Sequence, residues 1–227
     1  KNVVPRPGYW MWDTDYSSVE YRVLANMVGN KKIKKNFEDP VFDYHAYQAS
    51  HMYGVPYAQV TKQIRKAAKG INFGLPYGMG DESLGATVFG DVSPENTRKA
   101  GQLRQAYFKG QEDIQEWFEV NRTAAVNNGY TETFFGRRRY YDKNKFNASA
   151  IRRQGGNHII QGTSADIYKL ATSRVFKRIC KEGWLGKVLL NAFVHDELVG
   201  ECSNDINPAT FLKVLREEFE VKITDEN

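Results

Sequence analysis

Apolar and polar positions along this chain change period several times, and each change predicts an element. Residues 9–14 are aromatic and apolar and predict a strand, with Asp15-Tyr16-Ser17 as its exit. Residues 18–28 predict a helix that stops near Gly29-Asn30. Residues 31–63 are polar and helical, with breaks at Pro40 and Pro56. Residues 94–128 predict one or two long helices, and 129–141 a hairpin turning around Gly136-Arg137. A helix over 148–181 is weakened by Gly155-Gly156. Two short strands follow over 187–202, joined at His195-Asp196, and residues 210–220 close with a helix. A strand, many helices and then strands again describe an α+β chain, a small sheet interrupted by a helical insertion.

The segment from Arg65 to Gly80 has the sharpest pattern. Ile64, Ala67, Ala68, Ile71 and Leu75 recur at helical spacing as an apolar stripe. Arg65, Lys69, Phe73 and Tyr77 are four apart and form a second stripe on the far side. That stripe spans roughly 18 Å at 1.5 Å per residue. It reads as two cations, an aromatic ring and a phenol, the order of an anionic tail and a flat base in a nucleoside triphosphate. Arg65 and Lys69 are suited to phosphate oxygens, and Phe73 to sugar and base. The ordinary alternative is an amphipathic helix with a solvated basic face. Pro76 removes one backbone donor, so a kink or early end is expected between Gly74 and Gly78.

Length and composition add limits. With 227 residues, 41% hydrophobic and 26% charged, the chain has room for one sizeable core or one discontinuous domain with an insertion. A net charge of +5 suits a polyanionic partner. Basic residues cluster at 31–35, 137–139 and 152–153. The two cysteines, Cys180 and Cys202, form no zinc-ligand spacing and agree with a reducing cytoplasm. Apolar runs such as 188–194 are too short for a bilayer, so no membrane role is expected. The chain opens at Lys1 without an initiator Met, which suggests a fragment or a processed piece.

Asp15 ends the first strand and Asp196 sits between the two later strands. If those strands are neighbours, both carboxylates meet at one sheet edge. Two aspartates with substrate phosphates suit Mg²⁺, a hard cation that keeps few protein ligands. A pair of such ions about 3.5–4 Å apart can activate a hydroxyl and stabilise a leaving pyrophosphate. Taken singly, Asp15 as a helix cap and Asp196 as a turn residue are the plainer readings. Arg153, Asn157 and Gln161 are also four apart, so one helix face carries three polar side chains. Donors on such a face can reach minor-groove acceptors common to all base pairs.

Five stretches together carry a resemblance. Residues 15–22 (DYSSVEYR), 65–78 (RKAAKGINFGLPYG), 132–139 (ETFFGRRR), 161–166 (QGTSAD) and 194–197 (VHDE) resemble, in order, the motifs of family A DNA polymerases, the polymerase I-like enzymes. The resemblance implies a right-hand polymerase without its thumb, with palm at 1–28 and 129–227 around fingers at 29–128. It implies a template-directed DNA polymerase that adds dNTPs to a primer 3′-hydroxyl with two Mg²⁺ ions, for which Mn²⁺ substitutes. Asp15 and Asp196 would hold the metals. Arg65 and Lys69 would contact the triphosphate, with Lys69 neutralising the leaving group. Phe73 would pack on the incoming nucleotide and, lacking a hydroxyl, discriminate against dideoxynucleotides. His45 would reach the phosphates. Tyr77 and Gly78 would lie near the templating base, and His195 beside the primer end. Arg153, Asn157 and Gln161 would check base-pair shape, and Glu197 would be an accessory acid. Fingers closure would carry the 65–77 helix toward the aspartates.

Glu20 has two compatible readings. Ser17-Ser18-Val19-Glu20 is a capping box, and the resemblance makes Glu20 the group that blocks a ribose 2′-hydroxyl. The chain departs from the family pattern at Asp13, which shares a strand face with Asp15. It departs again at Gly70, which follows Lys69 where Thr is common, and Gly155-Gly156 loosens the helix carrying Asn157. Partners implied are primer-template DNA, dNTPs and an N-terminal thumb and exonuclease region, in the cytoplasm of a bacterium or a phage-infected host. The competing reading is a catalytically incomplete nucleotide- and DNA-binding piece that needs a thumb-bearing chain. A single-subunit RNA polymerase relative and a metal-dependent nuclease fit less of the sequence. Glu20 and Phe73 argue against the first, and a nuclease has no use for the 65–77 stripe.

Overall fold

The computed structural model describes residues 4–194 and 197–223. In chain order its elements are β1 (Tyr9–Asp15), α1 (Val19–Val28), α2 (Lys31–Asn36), α3 (Tyr44–Tyr53), α4 (Lys62–Gly74), α5 (Asp81–Phe89), α6 (Pro94–Phe108), α7 (Glu112–Asn128), β2 (Tyr130–Glu132), β3 (Arg138–Tyr140), α8 (Ala148–Lys181), β4 (Val188–Val194), β5 (Glu197–Ser203) and α9 (Pro208–Phe219). The chain is α+β with small antiparallel sheets, as its patterning predicts. It divides into two compact units, one of Lys1–Val19 with Thr163–Asn227 and one of Glu20–Gly162.

The first unit is built on a three-stranded antiparallel sheet in the order β1-β5-β4. Strand alternation sends Trp10 and Trp12 to one face, where both rings meet Phe211 of α9 at 5.8 and 5.3 Å. Tyr168, Val175 and Ile179 of α8 and Leu198 and Cys202 of β5 complete this core. Trp12 pairs with Gly200 across the sheet. A Cβ at Gly200 would stand 2.2 Å from the Trp12 ring and 2.2 Å from the Leu189 carbonyl, so only glycine fits beneath that indole. Pairing of β4 with β5 jumps from Leu190↔Gly200 to Ala192↔Val199, which leaves Asn191 as a bulge.

The second unit is helical apart from the β2–β3 hairpin, where Gly136 takes φ 79°. Ala49 and Met52 of α3, Ala68 and Ile71 of α4, Leu84 of α5 and Ala100 and Tyr107 of α6 form one of its cores. A buried amide pair ties α3 to the start of α7. Gln48 and Gln111 exchange hydrogen bonds of 2.8 and 2.9 Å, and Gln48 also donates to the Tyr44 phenol at 2.6 Å.

Several expectations are refined here. Residues 31–63 resolve into α2, α3 and a 3₁₀ turn at Tyr57–Gln59, with Gly54 ending α3 at φ 63°. Residues 94–128 form two helices, α6 and α7. Helix α5 has no counterpart in the sequence reading. Its nine residues follow Gly80, which offers no side-chain cap, so the acidic first turn of Asp81 and Glu82 is the start signal it carries. Helix α8 runs unbroken through Gly155-Gly156. A Cβ at Gly155 would lie 2.5 Å from that of Ala125, and one at Gly156 3.2 Å from the Phe118 ring. These glycines let α7 approach α8 and do not loosen the helix. Among the described residues no helix is long and apolar enough to cross a membrane.

Candidate functional site

Helix α4 opens at Thr61, whose hydroxyl accepts from the Ile64 N–H at 3.3 Å. Ala68, Ile71 and Leu75 are buried along one side, as the stripe predicts, but Ala67 is exposed and belongs to the outer face. Pro76 cannot donate, and the regular helix ends at Gly74. The chain then closes in a Schellman pattern. The Gly78 N–H donates to the Leu75 carbonyl at 3.1 Å and the Met79 N–H to Gly74 at 3.0 Å, with Gly78 at φ 90°. Tyr77 therefore stands on this closing turn and not on an uninterrupted helix, which corrects the four-member stripe.

Arg65, Lys69 and Phe73 do share one side of α4. Lys69 is exposed, Phe73 is 47% exposed, and the Lys69 ammonium stands 6.0 Å from the Phe73 ring centre. Arg65 is held through Nε by the carboxylate of Asp43, the N-cap of α3. Burial pushes the Asp43 carboxyl up, but hydrogen bonds from Arg65 and the Ala46 N–H, with the Arg65 charge, hold it below the ordinary carboxylate range. His45 is buried, 7% exposed, with Nδ1 at 2.8 Å from the Asn72 amide and its ring 5.6 Å from that of Phe73. Burial lowers its pKa to about 4; the Asp43 charge opposes this, and Arg65 and Lys69 add to it. His45 is thus a neutral ring at pH 7, backing Phe73.

Glu20, in the first turn of α1, accepts a hydrogen bond from the Tyr77 phenol. Burial and the adjacent carboxylate push that phenol far above its ordinary pKa, so Tyr77 stays a donor. The residue before α1, Ser18, has φ 55°, a left-handed conformation uncommon for serine.

Gly78 and Arg153 line one cleft of about 450 Å³, together with Arg104, Phe118, Arg122 and Arg152. Arg122 donates to the Pro76 carbonyl at 2.6 Å, which fixes the turn beside Gly78. Burial lowers the pKa of Arg122. Arg153 and Gln161 are exposed and Asn157 half-buried along α8, a polar face as the spacing predicts. The basic clusters are partly spent inside the unit. Arg138 pairs with Glu132, Arg152 with Glu119, and Arg137 donates to the Gly162 carbonyl at 3.0 Å.

In the other unit, Asp15 ends β1 directly opposite Glu197 in the β1–β5 register. Asp13 pairs with Val199 and is exposed on the same strand face as Asp15. The next residue is clamped: the Tyr16 N–H donates to the Tyr168 phenol at 2.7 Å, and the Tyr16 phenol to the Phe219 carbonyl at 2.5 Å. Burial raises the Tyr16 pKa to about 12. His195 and Asp196 lie outside the described residues. Among the described residues no three His, Cys, Asp or Glu side chains group as a metal cage. The donors at this sheet end are carboxylate oxygens, the chemistry Mg²⁺ takes with few protein ligands.

Asp43, Asn72, Arg122 and Tyr168 escape a reading by motif. Asp43 alone carried a signal, a capping residue immediately before a helix.

Comparison with known proteins adds a further observation. Residues 1–224 match the family model described as DNA polymerase family A. The chain is 34% identical over 205 residues to DNA polymerase I of Rhizobium leguminosarum, covering 88% of this chain and 20% of that protein. It is 34% identical over 206 residues to the thermostable DNA polymerase I of Thermus aquaticus, covering 89% and 24%. Among solved structures, the POL domain of Pol1 from M. smegmatis, in complex with DNA primer-template and dNTP, superposes with a TM-score of 0.84. That match has 28% identity and covers 95% of this chain and 37% of that one. The chain spans about a fifth to a quarter of the length of these curated relatives.

Proposed function

Since the chain belongs to DNA polymerase family A, we propose that it supplies the palm and fingers of a template-directed DNA polymerase acting on primer-template DNA and dNTPs. The observation that carries this reading is the outer side of α4. Arg65, Lys69 and Phe73 stand there in line, while Ala68 and Ile71 bury the opposite side.

Within the larger unit, Arg65 and Lys69 take triphosphate oxygens, and Lys69 offsets the charge that develops on the leaving pyrophosphate. Phe73 packs on the nucleotide, with His45 behind it. Glu20, held by Tyr77, excludes a ribose 2′-hydroxyl. Gly78 and Arg153 line the cleft proposed for template, and Arg153, Asn157 and Gln161 read the minor-groove edge of the base pair. The fingers, 29–128, fall wholly inside this unit; 1–28 and 129–227 are assigned to the palm.

Within the smaller unit, Asp15 and Asp196 would hold Mg²⁺, with Glu197 accessory and His195 beside the primer end. Bound there, the metal supplies Lewis acidity toward a primer 3′-hydroxyl and the phosphates. Tyr168 and Tyr16 fix the backbone that presents Asp15.

Primer extension by this chain with Mg²⁺ and dNTPs, beside Asp196→Ala, tests the proposal. Template-directed extension that disappears in the variant supports it, and equal rates from both proteins would sink the metal assignment. DNA or dNTP binding without extension supports the second reading, a binding piece that needs a thumb-bearing chain.

A further inference from the structure

We infer that Asp43 is a positioning residue for the triphosphate: its carboxylate takes the Nε–H of Arg65 and so aims the guanidinium's two terminal nitrogens at phosphate oxygens. The inference rests on the reading of Arg65 as a phosphate ligand.

Asp43 is itself fixed from two sides. Its Oδ1 accepts from the Ala46 N–H at 3.1 Å, and its own N–H donates to the Tyr57 hydroxyl at 3.0 Å. The other oxygen, Oδ2, is left for Arg65. A guanidinium carries five N–H donors in a rigid plane. Binding at Nε uses one edge of that plane and leaves the edge between the terminal nitrogens for a second acceptor. A lysine at 65 has no such fork and could not serve two anions in fixed directions. Both side chains are partly exposed, 42% for Arg65 and 29% for Asp43, so screening makes the pair a weak contributor to stability. Orientation is the effect left to it. The anionic cost of a carboxylate near a triphosphate is offset one turn along α4 by Lys69, whose ammonium is not tied up by Asp43.

The test is calorimetric titration of the whole chain with dATP and Mg²⁺. Asp43→Asn keeps the cap on α3, because asparagine caps as well as aspartate, but offers Arg65 no carboxylate. The expected result is a Kd raised about three- to tenfold. In an Arg65→Ala background the same substitution should change Kd less than about 1.5-fold. Asp43→Ser, also a good cap, repeats the measurement if the asparagine variant does not fold. The same loss in both backgrounds, or unchanged or tighter binding by Asp43→Asn alone, overturns the inference. Arg65→Ala that binds dATP normally overturns the phosphate reading as well. A weakened Arg65→Ala beside a normal Asp43→Asn overturns only the positioning role.

Discussion

Tyr77 donates its phenolic proton to the carboxylate of Glu20, 57 residues earlier in the chain. The turn that ends α4 is thereby tied to the first turn of α1. A carboxylate held by a neutral donor is a fixed obstacle, whereas a released one can swing aside. Tyr77→Phe removes a hydrogen bond to a charged group, worth about 1.5–3 kcal/mol. The expected outcome is ribonucleotide incorporation raised about tenfold relative to deoxynucleotide. Competing rNTP and dNTP on one primed template measures it. An unchanged ratio would remove Glu20 from the sugar-selecting role or Tyr77 from its support.

Three glycines should respond to alanine in opposite directions. Gly70 lies on the exposed side of α4, with only a Thr87 methyl at 4.0 Å from an added Cβ. Gly70→Ala should raise stability by about 0.5–1 kcal/mol through helix propensity. Gly155→Ala meets Ala125 at 2.5 Å, and Gly200→Ala meets both the Trp12 ring and a backbone carbonyl at 2.2 Å. Gly155→Ala should cost about 1–3 kcal/mol, and Gly200→Ala at least as much, since a backbone carbonyl and a packed indole cannot yield. Urea unfolding of the three variants checks the order.

Gln48 and Gln111 satisfy each other in a fully enclosed place. Gln48→Leu fits by size but leaves the Gln111 carbonyl without its amide donor. A loss of about 1–3 kcal/mol is expected. Gln48→Leu with Gln111→Leu should recover part of it, which a double-mutant cycle by chemical denaturation will read.

The sequence carried the elements whose period was unambiguous. The aromatic and apolar run of 9–14, the hairpin at Gly136 and the helix over 148–181 emerge with bounds within a residue or two. The break near Pro76 also follows from a missing donor. Other features were hidden because they depend on partners far along the chain. Gly155 and Gly156 read as weak helix, yet their meaning lies in Ala125 and Phe118. Helix α5 follows a glycine that offers no side-chain cap, and its acidic first turn is a weaker signal than a capping residue. Arg65 is legible as a cation for phosphate, but its carboxylate partner at Asp43 becomes visible only when α3 and α4 pack. The same holds for His45, which spacing alone cannot distinguish from a surface residue and which is in fact enclosed by Asn72, Tyr21 and Phe73.

That enclosure makes stability depend on acidity. The folded His45 titrates at about 4, below its ordinary 6.5, chiefly because burial disfavours the charged ring. Asp43 pulls the value up, and Arg65 and Lys69 press it down. Between these two values the unfolded chain binds a proton that the folded chain does not. Stability therefore declines as pH falls through that window and is unaffected by this group above it. Asp43 acts in the same sense but lower: its carboxyl is depressed, so its contribution is lost only as pH falls further through the carboxylate range. His51, lowered by burial and by Lys32, adds to the slope of the histidine window. Urea unfolding at about pH 7 and about pH 5 should show a loss of stability that is smaller in His45→Gln than in the unmodified chain. If both proteins lose the same amount, His45 does not titrate as a buried neutral ring, and its placement behind Phe73 fails with it.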